Sequence, residues 1–202
     1  MTQTIFLWIH IAVGSIALLA GGIAAFAVKG SSLHKRSGRF FAMSMALTAV
    51  SAIALSIMNY NPFLLSIGFF TAYLVGSGYL WAQRMPLQRR YRMGRYIGMA
   101  GVLTAAGMFY VALSYPVMSV VLLVFGGILL FMAGADALRR KPPKNPIALH
   151  GGRMGGAYIA ATTAFLVVNV EWTIAAWLLP TVVGSPLIAI GIRRYAKRGV
   201  KG

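Results

Sequence analysis

All nineteen lysines and arginines of this 202-residue chain fall in four short groups, and almost everything between them is apolar. The groups are Lys29, Lys35, Arg36 and Arg39; Arg84, Arg89, Arg90, Arg92 and Arg95; Arg139, Arg140, Lys141, Lys144 and Arg153; and Arg193, Arg194, Lys197, Arg198 and Lys201. Apolar stretches run over 5–28, 40–59, 62–82, 96–115, 116–138, 154–170 and 172–192. A helix of about 20 residues crosses a bilayer, so seven crossings are expected, the sixth near the short limit. The predicted fold is therefore all-α, one integral membrane domain of seven transmembrane helices. Only 10% of residues are charged, far below the quarter typical of soluble domains.

The breaks alternate in character. Asn61-Pro62, Tyr115-Pro116 and Glu171 are tight and almost chargeless, whereas 29–39, 83–95 and 139–153 are basic loops, followed by a basic tail. An odd helix count puts all four cationic groups on one side, which the positive-inside rule makes the cytoplasm. The amino terminus then lies outside, and the first stretch, with no cation before it, remains as a helix. A bacterial inner membrane is the expected location. Boundary aromatics agree: Trp8, Tyr60, Tyr115 and Trp172 near the outer face, Trp81, Tyr91, Tyr96 and Tyr195 near the inner. The +17 net charge is distributed at helix ends, where cations meet anionic phospholipid headgroups at about 1 kcal/mol each. Nucleic acid is not the expected partner. Protein partners are open, a second copy of the chain among them.

An internal repeat is visible. Gly38-Arg39 opens the second stretch, Gly94-Arg95 the fourth and Gly152-Arg153 the sixth, with Thr48, Thr104 and Thr162 at one common offset. Gly21, Gly76 and Gly134 precede these pairs at 17 or 18 residues, so the period is 56 to 58 residues, one helical hairpin. Parallel copies would result. Helices one to three against five to seven also fit, with Val75-Gly76-Ser77 echoed by Val183-Gly184-Ser185.

Two readings of the repeated residues stand side by side. Gly permits a tight turn and Arg snorkels to headgroups; alternatively Arg39, Arg95 and Arg153 converge with free helix N–H groups on a phosphate, carboxylate or lipid headgroup. Thr48, Thr104 and Thr162, about 13 Å deeper, either line a polar path or pack helices together.

The three histidines bound the cofactor chemistry. His34 and His150 lie in basic loops and can meet at the inner surface as ligands of haem b, with Arg39 and Arg153 near the propionates. His10, inside the first stretch, either hydrogen-bonds Asn59 or Asn169 or forms a polar or proton site. Asp136 pairs with Arg139 and Arg140 across one helical turn or serves as a proton relay.

No cysteine is present, which excludes disulfides, thiolate nucleophiles and Cys-ligated metals. There is no His-Glu-x-x-His motif, Walker loop or Gly-x-Ser-x-Gly elbow, and the last stretch has no lysine for a retinal Schiff base. No nucleophile–base–acid set or metal site emerges.

His10, Gly14-Ser15, Ala17-Leu18, Gly21, Lys29-Gly30, Leu33-His34 and Gly38-Arg39, with His150, Arg153-Met154, Tyr158-Ile159-Ala160 and Thr163-Ala164-Phe165, resemble a family of uncharacterised bacterial multi-pass membrane proteins. The resemblance implies no activity and directs attention to His10, His34, Arg39, His150 and Arg153. Three functions remain. A solute- or lipid-handling transport or binding protein requires a polar cavity open to the cytoplasm. A haem- or quinone-associated redox protein requires His34 and His150 within one cofactor's reach. An assembly subunit requires a lipid-facing glycine seam at Gly21-Gly22 or at Gly76 and Gly78. The first is the leading expectation.

Overall fold

The computed structural model describes residues 1–116, 118–170 and 173–199, with side chains at all but Thr173 and 196–199. The described residues form seven α-helices and no strand: α1 (Thr2–Phe26), α2 (Ser32–Met58), α3 (Pro62–Ala82), α4 (Leu87–Ser114), α5 (Ser119–Ala137), α6 (Pro146–Asn169) and α7 (Thr173–Gly199). Six are long and apolar enough to cross a membrane. The helix outside that set is α6, whose first half carries His150, Arg153 and the pairs Gly151-Gly152 and Gly155-Gly156. Glu171, Trp172 and Lys201 lie outside the described residues, as do the side chains of Lys197 and Arg198.

The helices overrun their apolar stretches at the basic end. The Ser31 side chain accepts from the His34 N–H and starts α2 ahead of the stretch beginning at 40. Asn145 does the same for the Ala148 N–H, with Pro146 in the first turn, ahead of 154; α4 starts at Leu87 behind Pro86. Asparagine and serine at the N-cap satisfy N–H groups that a helix leaves unpaired, and proline in the first turn loses nothing by lacking one. The basic loops expected at 29–39, 83–95 and 139–153 are thus largely helix joined by short turns. At the other end Asn61 caps α3 through the Leu64 N–H with Pro62 beside it, and α5 begins at Ser119 instead of 116, after Met118 in the left-handed region.

Sequential hairpins α1–α2 and α4–α5 pack tightly; α3 lies between them and packs on both, and α6 packs on α3, α7 and the α1–α2 side. The core is built of Phe41, Met45, Leu74, Met108, Leu122 and Leu129. Outward faces are apolar instead of polar: Leu19, Leu103, Leu113, Phe131 and Val168 are all more than 70% exposed, as a lipid-facing surface requires. Where helices touch, glycine lets backbones close up. A Cβ on Gly98 would stand 2.6 Å from the Ala137 nitrogen of α5, and one on Gly78 would stand 2.9 Å from the Arg153 Cβ of α6.

Two expectations about the surface change. Gly21 and Gly78 do not form a seam open to lipid, because Tyr158 and Phe41 cover the first and α6 covers the second; Gly76 alone has open space around it. Trp81 and Tyr91 sit at helix ends but are packed inside. The Tyr91 hydroxyl donates to the Arg139 carbonyl.

Candidate functional site

Two polar constellations occupy the basic half of the bundle. The first joins residues 116 apart in sequence: His34 in the first turn of α2 and His150 in the second turn of α6 bring their ring centres to 6.5 Å, with the planes at 88°. Each ring is held through Nδ1 on a main-chain carbonyl, His34 on Ala24 at 3.0 Å and His150 on Gly78 at 2.9 Å. A carbonyl only accepts, so Nδ1 is the donor in both rings, and Nε2 is the nitrogen left free of it. A metal-bound histidine donates its other ring N–H in this way. Burial pushes the His150 imidazole below its ordinary value, against the Gly78 bond, and the neighbouring His34 and Lys29 push the same way. The neutral, ligating form is favoured. Lys29 shares this corner, donating at 3.0 Å to the same Ala24 carbonyl that holds His34.

The second constellation is a buried ion pair spanning α3, α5 and α6. Asp136 Oδ2 accepts from Arg153 at 2.9 Å and from the Tyr73 hydroxyl at 2.8 Å. Arg153 also donates to the Met132 carbonyl at 3.1 Å and lies 5.4 Å from the centre of the Tyr73 ring. Asp136 Oδ1 is ion-paired with Arg139 at 3.5 Å and has no hydrogen-bond partner among the described residues. Asp136 is 2% exposed and Arg153 7%. Two opposite charges this deep are tolerable only because they meet.

The arginines of the repeat separate. Arg39 is exposed and folds back on the Lys35 carbonyl; Arg95 reaches the Ala137 carbonyl at 3.2 Å, where it caps the carboxyl end of α5; Arg153 alone turns inward. A cation at a helix carboxyl terminus meets unpaired carbonyls and a favourable dipole. Thr48, Thr104 and Thr162 each donate to the carbonyl four residues back, on Ser44, Ala100 and Tyr158. Thr104 also edges a groove between α3 and α4.

For His10 the partner differs from those expected, and for Asp136 an expected partner is joined by a further one. His10 Nδ1 meets Ser51 Oγ at 3.0 Å, whereas Asn59 accepts from Gln3 and Asn169 bonds the Phe165 carbonyl of its own helix. The ion pair expected between Asp136 and Arg139 forms, at 3.5 Å, and Arg153 of the next helix adds a closer one at 2.9 Å. Tyr73 and Ser51 were not among the sequence candidates. One signal pointed to the network: Asp136 is the single acid in an apolar stretch, and the first half of α6 has one arginine among glycines and alanines.

Comparison with protein-family models, with curated proteins and with solved structures finds no match to this chain.

Proposed function

We propose that this chain is a redox protein of the bacterial inner membrane, holding haem b between His34 and His150 at the cytoplasmic face. The carrying observation is the 6.5 Å approach of the two rings with both Nδ1 groups already engaged. Imidazoles on opposite sides of one metal stand about 6 Å apart centre to centre, given metal–nitrogen bonds of about 2 Å. Haem brings four iron ligands of its own, so two imidazoles complete the set. A bare ion asks more of the protein, and among the described residues no cluster of three or more His, Cys, Asp or Glu exists. When bound, haem supplies one-electron chemistry; the chain's part is to fix ring orientation through the Ala24 and Gly78 carbonyls. Lys29 is the cation nearest this corner and the candidate partner for a propionate. Arg153, engaged by Asp136, is not.

The orientation follows the same reading. All described cations lie at one end, α2, α4 and α6 run from it in parallel with the repeated Gly-Arg near their starts, and the amino terminus is outside. Anionic headgroups are the partners of the exposed cations, and the family of multi-pass membrane proteins resembled above remains the proposed kinship. The solute-handling reading has less support, because Arg39 and Arg95 face outward and the three threonines bond their own helices.

The test is the visible spectrum of protein purified in detergent from haem-replete cells, oxidised and then reduced with dithionite. A Soret band that shifts on reduction and disappears in both H34A and H150A is expected. A colourless protein, or a band that survives both substitutions, overturns the haem assignment.

A further inference from the structure

Serine and threonine hydroxyls in this bundle follow one habit. Ser37, Thr48, Ser56, Ser66, Thr71 and Thr162 each donate to the carbonyl four residues back on their own helix. Thr163 and Thr181 break it: the oxygen of each is buried and has no hydrogen-bond partner among the described residues, and Thr163 as a whole is only 3% exposed. Both line one cavity.

That cavity, of about 210 Å³, lies between α3, α5, α6 and α7. It runs along α6 from Gly152 to Ala164, a slot about 18 Å long at 1.5 Å per residue. Phe70, Phe125 and Trp177 are among its walls, and Gly156 and Ile188 line it further toward the basic end. Cavities of about 150 Å³ lined by apolar groups take up a benzene ring, so this one accepts a substituted ring with part of a tail. A dry hydrocarbon occupant would leave two buried O–H donors unpaired, at the cost such groups carry. An occupant with acceptor oxygens on a flat, lipid-soluble ring satisfies both.

We infer that the α3–α5–α6–α7 cavity is a binding site for a lipid-soluble quinone, with ring oxygens accepting from Thr163 and Thr181 and the tail lying past Gly156 and Ile188. The site and the imidazole pair share no residue, because neither His34 nor His150 lines the cavity. It therefore stands whether or not His34 and His150 bind haem.

The experiment measures the thermal midpoint of the detergent-purified protein against increasing decylubiquinone, with decylbenzene as a probe of the same tail and no oxygens. Ligand that binds only the folded state raises the midpoint. A saturable rise with decylubiquinone, absent with decylbenzene, is expected. T163V/T181V keeps the shape of both side chains and removes only the hydroxyls; it should fold at least as stably as wild type and need about tenfold more quinone for the same rise. G156L, whose Cβ would find ordinary contact with Leu74 at 3.5 Å, fills the slot and should abolish the response. Equal response to decylbenzene, no response to either probe, or a T163V/T181V response identical to wild type each overturns the site. In H34A/H150A the quinone response should persist, so failure of the haem reading and failure of this one give different results.

Discussion

Three helices carry the same two residues near their starts, and the structure treats them in different ways. Gly38-Arg39 of α2 and Gly94-Arg95 of α4 leave their arginines at the surface, while Gly152-Arg153 of α6 drives its arginine into the core. The reason is phase. In α2 the buried face passes through Ser37 and Phe41, and in α4 through Tyr91, Gly94 and Gly98, so the arginine falls beside it. In α6 it passes through Arg153 and Ala157 themselves. What makes the third placement stable is not in the motif at all: it is Asp136 on the neighbouring helix, with Tyr73 completing the contact from α3. A repeated sequence recurs two turns into each helix, and a single acid elsewhere decides what its arginine does.

Removing that acid breaks the comparison most sharply. D136A leaves Arg153 charged and buried without its counter-ion, a loss of about 3–5 kcal/mol, to be read as a lowered unfolding midpoint in detergent. D136L/R153M should recover most of it, since replacing both members of a buried pair with apolar residues is often neutral. Recovery failing would mean that the pair does more than compensate itself. Next in size is G94A. A Cβ there meets the buried Trp81 ring at 2.9 Å, and overpacking of this kind costs about 1–3 kcal/mol. G38A has open space on every side, and should raise the midpoint by an amount worth up to about 1 kcal/mol, the helix preference of alanine over glycine. Smallest is R39A: with an exposed side chain and one weak bond to its own helix, it should change stability by less than about 0.5 kcal/mol. Were R39A as costly as D136A, the distinction between outward and inward arginines would fail.

How much of this was legible in the sequence depends on the range of the interaction. Helix number and the turn at Asn61-Pro62 follow from local hydropathy and capping, and the structure keeps them. Helix ends on the basic side do not, because hydropathy marks where a helix is apolar while Ser31, Pro86 and Asn145 mark where it starts. The approach of His34 to His150 was a stated requirement of one reading, yet no spacing could demonstrate it across 116 positions. Local charge spacing pointed Asp136 at Arg139 and Arg140, one turn away, and the Arg139 pair forms; the closer contact, from Arg153 on the next helix, has no such spacing behind it. Ser51 as partner of His10, and the pairing of Thr163 with Thr181 around one cavity, are tertiary facts with no sequence pattern behind them.

The self-satisfied hydroxyls of α2 and α3 have a consequence for how the chain is assembled. A serine or threonine bonded to its own helix needs nothing from its neighbours, so α2 and α3 can each enter a bilayer alone and associate afterwards. Asp136 and Arg153 have no such autonomy. Each is a charge in an otherwise apolar part of its helix, and α6 is not among the helices long and apolar enough to cross a membrane. The Arg153 side chain is what ties α6 to α5, and a chain truncated just after α5 should hold that helix in the membrane less firmly than one that continues through α6.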